Sequence, residues 1–506
     1  MDEGRPSRVA GAAAGLVAGG VAVGVAHLVA GLVRPESSPV LAVGGLVVDS
    51  TPRRVRDAVI HTFGTADKPV LLATIGVVVA GFAAAVGVLA ARRLDRGLIA
   101  VGVLGLAGTL AVLTRPSPRV VDLIPTILGT AAGCLALRHL LRTPAGNDPA
   151  GEWDRRAFLV TAGWLAAGAA VAGIGGRWLA GLRFSAAGSR AAVRLPAPAS
   201  PAPPLPPAAD PQAGGVPYLT PSADFYRVDT ALVVPQVAAE TWSLRVHGMV
   251  RTEVSLSYAD LLAMPMVERV VTLACVSNEV GGPYVGTARW LGVPVSAVLD
   301  RAGLDPNADQ LVCRSHDGMT IGAPTRIVTD GRDALLAVGM NGEPLPIEHG
   351  FPVRMVVPGL YGYCSACKWL IDIEAATFGE YDAYWVRQGW AQVAEIRTES
   401  RIDTPRPGST IPARRTAVAG VAWAQHRGIS AVEVAVDGGP WERARLASEP
   451  TKDAWRLWTY AWDAQPGKHT LAVRATDGTG APQTSMPADP YPSGATGYHT
   501  VEVTVR

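Results

Sequence analysis

One cysteine stands where chemistry is plausible. In "VTLACVSNEVGG", residues 271–282, an apolar β-branched run ends at Cys275 and gives way to Ser, Asn and two glycines. A thiolate is a nucleophile and a soft metal ligand, whereas a thiol packed behind a strand is inert. Composition alone favours the inert reading. The chain has five cysteines. Cys364 and Cys367 form a Cys-x-x-Cys in "CSAC", but zinc would need a further pair of ligands and no second Cys pair follows. A local disulfide and two reduced thiols are equally compatible with that pair. Cys134 and Cys313 read as packing residues. No Cys-x-x-Cys-His offers covalent haem, and His27, His61 and His139 are the candidates for haem held between helices. Nucleotide-binding glycine patterns are absent: no GxGxxG follows a strand and no GxxxxGK[ST] occurs.

The elements that must position these residues fall into distinct regions. Residues 218–408 mix short β-branched runs such as "TWSLRVHGMV" and "VERVVTLACV" with short helices in "SYADLLAM" and "VPVSAVLDRAG". That order predicts an α+β domain with mixed sheets. From 409 to 506, "ISAVEVAVDGGPWERARL", "AWRLWTYAWDA" and "HTLAVRATDGTG" alternate apolar and polar residues between Asp-Gly turns. The spacing predicts an all-β immunoglobulin-like sandwich without the inter-sheet disulfide. Its tryptophans, from Trp423 to Trp462, are expected mainly in the core.

Residues 1–182 are dominated by Ala, Gly, Val and Leu. Five apolar runs, near 9–33, 69–91, 97–114, 119–141 and 157–180, are long enough to cross a bilayer, which takes about 20 helical residues. The run "VLAVGGLVV" is too short to span and is expected at the interface. Basic residues at Arg5 and Arg8, in "RRLDR", and at Arg142, Arg155 and Arg156 fall on one side of five spans, which makes that side cytoplasmic. The loop 34–68 carries basic residues against this rule. The C-terminal half is then extracytoplasmic in a multi-pass membrane protein. "DRRAFLVTAGWLAAGAAVAG" resembles a twin-arginine export signal and fits a simple positive-inside anchor as well. Residues 183–217 are proline-rich and predict an extended tether. A net charge of +2 gives no support to nucleic acid as a partner.

"GPYVGTARWLGVPVSAVLDRAG", "LLAVGMNGEPLPIEHGFPVRMVVPGLYG" and "CKWLIDIE", in that order, resemble the sulfite oxidase family of molybdopterin-dependent enzymes. The resemblance covers about residues 218–405 and implies a Mo-molybdopterin cofactor and oxygen-atom transfer. It places Cys275 and Asn278 of "CVSN" at the metal, with Cys275 as its ligand and a catalytic residue. A soft thiolate suits a metal already held by a dithiolene. The resemblance puts His349, Arg354, Ser365 and Lys368 on the phosphate side of the pterin. Tyr226 and Arg227 of "DFYRVDT" fall near the cofactor entrance, with Arg227 catalytic. Asp317 of "SHDGM" matches a cofactor-contacting position, and a turn-forming Asp before Gly is an equal reading.

Departures bear on the substrate. The family follows its Asn with arginines that hold sulfite, and here Glu279 and Val280 stand there. Its catalytic tyrosine segment corresponds to "AYWVRQGWAQ", where Trp390 stands. A neutral S-oxide or N-oxide, free or protein-bound, is therefore expected rather than a dianion, although Arg227 and Arg289 could restore positive charge. Sulfite-type oxidation is the family's other possibility. Electrons would pass through a separate membrane or soluble partner. The alternative from another class is a non-catalytic, membrane-anchored binding or receptor module that keeps the fold.

Overall fold

The computed structural model describes residues 7–52, 67–115, 118–142, 155–205 and 216–506, with Val55, Val59 and Thr62 besides. Arg5, the basic residues at 53, 54 and 56, His61 and residues 206–215 of the tether lie outside the described residues. The chain divides into two compact units, Met1–Ser185 with Ala231–Val234, and Ala186–Thr230 with Pro235–Arg506.

The first unit is helical. It contains α1 (Arg8–Val33), α2 (Pro39–Ser50), α3 (Asp67–Arg92), α4 (Leu94–Leu113), α5 (Ile124–Arg142) and α6 (Arg155–Phe184). Five helices among the described residues are long and apolar enough to cross a membrane. The 12 residues of α2 are too few. Glycines set the packing around α1, because a Cβ on Gly15 would stand 2.0 Å from the Ala83 carbonyl oxygen of α3. A Cβ on Gly31 would stand 2.3 Å from the Gly176 oxygen of α6. Small residues let helix backbones approach this closely. Asp122, polar within an apolar run, precedes α5 and pairs with Arg34 at 3.0 Å.

The second unit holds four sheets. Strands β1 (Ser243–Gly248), β2 (Val254–Ser257), β5 (Gln310–Ser315), β6 (Thr320–Pro324) and β10 (Leu370–Ala376) form one sheet in the order β2-β1-β10-β5-β6. β1 and β10 run parallel and the other pairs antiparallel. A second sheet orders β3 (Val267–Ala274), β4 (Val285–Pro294), β7 (Leu335–Met340) and β8 (Glu343–Pro344), and β9 (Arg354–Val356) pairs with β7. Two short helices carry the expected signals. Ser257 and Asp260 form a capping box at α8 (Tyr258–Leu262), and Gly303 closes α9 (Val295–Ala302) in the left-handed region.

The remaining strands are β11 (Glu399–Thr404), β12 (Thr410–Ile411), β13 (Arg415–Trp423), β14 (Ile429–Val436), β15 (Glu442–Arg443), β16 (Arg445–Leu446), β17 (Arg456–Asp463), β18 (Gly467–Asp477) and β19 (His499–Val505). They form sheets β11-β13-β17-β16 and β12-β19-β18-β14-β15 around one apolar core that includes Val418, Val432, Trp458, Leu471 and Val501. Trp423, Trp455, Trp458 and Trp462 are buried, whereas Trp441 lies partly exposed beneath Arg474.

Two boundaries differ from the sequence reading. β11 pairs with β13, so this layer begins at Glu399 rather than at 409. The stretch expected as an extended tether is bound along part of its length. In α7 (Ala187–Ala192), the Arg190 guanidinium donates to the Leu345 and Pro344 carbonyls, each at 2.8 Å. Ala199 N–H donates to the Met266 carbonyl, and Glu268 N–H to the Ser200 carbonyl. β3 is an edge strand with unpaired backbone groups, and extended proline-rich chain supplies partners for them.

Thr272 of β3 ties the layers together. It is fully buried, its hydroxyl accepts from Trp455 N–H at 2.7 Å, and it also meets the Thr287 hydroxyl. Thr272→Val keeps the shape and leaves the Trp455 donor unsatisfied. A loss of about 1–3 kcal/mol is expected, read as a lowered midpoint in denaturant unfolding.

Candidate molybdopterin site

Cys275 directly follows the buried half of β3 and opens a hairpin loop into β4. Its N–H donates to the Tyr284 carbonyl at 2.9 Å, and its carbonyl accepts from Asn278 N–H at 3.1 Å. Asn278, also buried, closes the loop by accepting from Tyr284 N–H on Oδ1 at 2.7 Å. Its Nδ2 donor is buried without a partner. Burial raises the Cys275 thiol above its ordinary pKa, and hydrogen bonding from Ser277 acts the other way. A soft cation would reverse that balance, because coordination deprotonates a thiol outright.

Cations gather on the adjoining loops. Arg354 opens β9 and is 5% exposed. Its Nη1 donates to the His349 carbonyl at 3.1 Å, its guanidinium lies 5.0 Å from the Trp290 ring centre, and its Nε is buried without a partner. Burial depresses this guanidinium to about 10, and the groups that act to raise it are Tyr226 and Cys367, neither a carboxylate. Lys368 donates to Asp229 Oδ2 at 2.8 Å and to the Glu348 carbonyl at 3.3 Å, and burial lowers it to about 8 in spite of Asp229. Arg227 shares that carboxylate, with Nε 2.9 Å from Asp229 Oδ2, and leaves its side chain 40% exposed.

His349 is buried, and its Nε2 lies 3.1 Å from the Ser222 carbonyl, so its neutral ring carries the proton there. Burial, then Arg354, hold its pKa down at about 4. Contact with phosphate through Nδ1 would require the ring to take a second proton. Tyr226 stacks on Phe225, with ring centres 5.2 Å apart. Burial and then Cys275 push its phenol far above the usual range, and Arg354 opposes them.

Other expected positions serve their own loops. The Ser365 hydroxyl is fully buried and lies 3.0 Å from each of the Leu360 and Tyr361 carbonyls. It is used locally rather than presented to a phosphate. Asp317 accepts from Met319 N–H at 3.2 Å, the geometry of a turn. Cys364 and Cys367 are both buried free thiols. Arg289 stays 3.8 Å from Glu268. Glu279 is exposed on the Cys275 loop, and Trp390 packs in an aromatic group with Tyr363, Trp385 and Tyr491.

The residues fit an anionic, sulfur-bound metal cofactor. A buried guanidinium with an unpartnered donor shares the neighbour Tyr226 with a buried thiol, a largely buried lysine lies within reach of that guanidinium, and an unpartnered amide donor stands three residues from the thiol. Burying such cations without an anion is costly. The profile of the family "Oxidoreductase molybdopterin binding domain" matches residues 231–385. Chicken sulfite oxidase is 31% identical over 309 residues, covering 51% of this chain and 67% of that protein. The chain belongs to the sulfite oxidase family of molybdopterin-dependent oxidoreductases. Its cofactor is the molybdenum cofactor. Human mitochondrial sulfite oxidase is also 31% identical, over 303 residues and 55% of its own length, so the chain spans about half of such relatives. An uncharacterized oxidoreductase of Bacillus subtilis, YuiH, is 34% identical over 149 residues, 29% of this chain and 72% of that one. In fold, the chain resembles the sulfane dehydrogenase SoxCD of Paracoccus pantotrophus, with a TM-score of 0.51 at 23% identity over 58% of this chain and 83% of that one.

Asp229 was not among the residues singled out by sequence, although "DFYRVDT" contains it. Its signal is visible only in three dimensions, as the carboxylate shared by Arg227 and Lys368. Removing the buried guanidinium while keeping apolar bulk, as in Arg354→Met, should leave a folded protein that retains less than about a tenth of its pterin, since charge-assisted bonds to phosphate are the stronger kind. Fluorescence of pterin released on denaturation, per mole of protein, measures it.

Proposed function

We propose that the protein is a membrane-anchored molybdenum-molybdopterin oxidoreductase that transfers an oxygen atom to or from a small-molecule or protein-bound oxide. The observation that carries the reading is the buried, carboxylate-free Arg354 together with Cys275 at the end of β3. The cofactor supplies two-electron oxygen-atom chemistry when bound, and the protein binds, orients and tunes it. Cys275 would ligate the metal. Arg354 and Lys368, with His349 once protonated, would hold the phosphate end. Tyr226, Asn278 and Arg227 would line the reacting side, with Arg227 the exposed cation nearest to an incoming substrate. The family profile, the relatives and the orphaned donors support this reading over a non-catalytic module.

Glu279 argues for a neutral S-oxide or N-oxide. It is exposed on the metal-cysteine loop, where a carboxylate repels sulfite. Arg289, held near Glu268, does not restore the charge without moving. Electrons would come from a separate membrane or soluble donor. Cys275→Ser should abolish turnover in a folded domain. Metal analysis of purified protein checks the cofactor, and a folded, pterin-loaded sample without molybdenum or tungsten would contradict the proposal. Steady-state assays with sulfite, and with methionine sulfoxide and a reduced dye, decide the substrate. Turnover of the sulfoxide is expected; efficient oxidation of micromolar sulfite would overturn that part.

The five apolar helices and the loop charges support a multi-pass membrane domain with the catalytic half extracytoplasmic. The paired arginines at the start of α6 would act as a twin-arginine export signal for a domain that folds around its cofactor. The C-terminal layers, two sheets over one core, would be an immunoglobulin-like sandwich. A reporter fused after residue 215 should be active only if it requires an extracytoplasmic position. Activity of a cytoplasmic reporter at that point would refute the topology.

A further inference from the structure

We propose that the C-terminal sandwich completes the cofactor site, with Arg401 and His499 as positioning residues for the loop that carries Cys275. The inference rests on Cys275 as the metal ligand. The family profile stops at residue 385, before either residue. The loop from Cys275 to Tyr284 closes on itself at its base through Cys275, Asn278 and Tyr284. At its tip, the Gly282 N–H donates to the Glu279 carbonyl at 2.8 Å in a turn. The sandwich meets this tip at Gly281 and Gly282.

Arg401 of β11 donates from Nη1 to the Gly282 carbonyl at 2.9 Å, and Asp403 holds its Nε at 2.7 Å. His499 of β19 accepts from Ile402 N–H on Nδ1 at 3.0 Å, which leaves the ring proton on Nε2. The ring lies flush on Gly281. A Cβ there would stand 2.1 Å from His499 Cδ2, and the glycine adopts φ +77°. Only a glycine lets the imidazole come this close. Burial, then Arg401, keep His499 neutral, with its pKa lowered to about 4.

A second set of bonds holds the other side of the cysteine. Thr272 N–H donates to the Asp453 carbonyl at 3.0 Å, and Gln425 Nε2 donates to the Thr272 carbonyl at 2.9 Å. Trp455 N–H donates to the Thr272 hydroxyl. The sandwich therefore grips the chain three residues before Cys275 and again at Gly281 and Gly282. A ligand residue held from both sides presents its sulfur in one place, and displacement of a reacting group by an ångström is costly. The same clamp fixes where Glu279 stands.

The test uses the full-length, cofactor-loaded protein and two readouts other than activity. Arg401→Ala and His499→Ala should speed backbone hydrogen exchange in the 276–283 segment about tenfold or more, with residues 310–324 unchanged. Molybdenum content should hold, and the Mo(V) electron paramagnetic resonance signal should shift. Arg401→Lys, which keeps one donor, should restore most of both. If Arg401→Ala fails to fold, His499→Gln carries the same test. Unchanged exchange and an unchanged signal would overturn the proposal. So would faster exchange spread equally over 310–324, the mark of general destabilisation. A preparation without molybdenum would refute the proposed function, while exchange in 276–283 would still decide the clamp.

Discussion

A guanidinium taken out of water needs a counter-charge, and Arg354 has none among the described residues. Its donors meet one carbonyl and one aromatic face, and one nitrogen meets nothing. The free-energy cost of that arrangement is the constraint on which the domain depends, because an apolar replacement would be easier to bury. Such a charge is retained where an anion arrives to complete it. The neighbouring groups agree: burial lowers Lys368 to about 8 in spite of Asp229, and burial, then Arg354, hold His349 down at about 4.

Charge is distributed unevenly over the candidate site. Arg354 and Lys368 are cations largely withdrawn from water, whereas the loop that carries Cys275 exposes a carboxylate side chain at Glu279. A cofactor can be gripped at one end while a small dianion is repelled at the other. In the proposed function that asymmetry would separate recognition of the cofactor from recognition of the substrate, and it follows from single residues on separate segments.

Much of this was legible in the chain. β-branched residues ending at a cysteine marked β3, and Ser257 and Gly303 marked helix ends by local chemistry. The ordered motifs led to Cys275 and Arg354, whose surroundings fit the chemistry expected of them. The bonds of the Ser365 hydroxyl to the Leu360 and Tyr361 carbonyls were not legible, because a hydroxyl in a motif carries no sign of which carbonyl it will meet. The proline-rich stretch read as an extended tether, and its composition does not say that it meets the edge of β3 and, through Arg190, the Leu345 and Pro344 carbonyls. Asp229, Arg401 and His499 left no sequence signal at all. Each meets a partner far away in the chain, Asp229 with Lys368, Arg401 with Gly282 and His499 with Gly281, and no local pattern encodes such a meeting.

The central claim is that Cys275 and the cations Arg354 and Lys368 belong to one site, which holds a molybdopterin whose metal is bound through that sulfur. X-ray absorption at the molybdenum edge of the purified full-length protein tests it most directly. The account predicts a metal with protein thiolate sulfur in addition to the pterin dithiolene, and one fewer sulfur neighbour in Cys275→Ser. Molybdenum whose sulfur shell is the same in both proteins would contradict it.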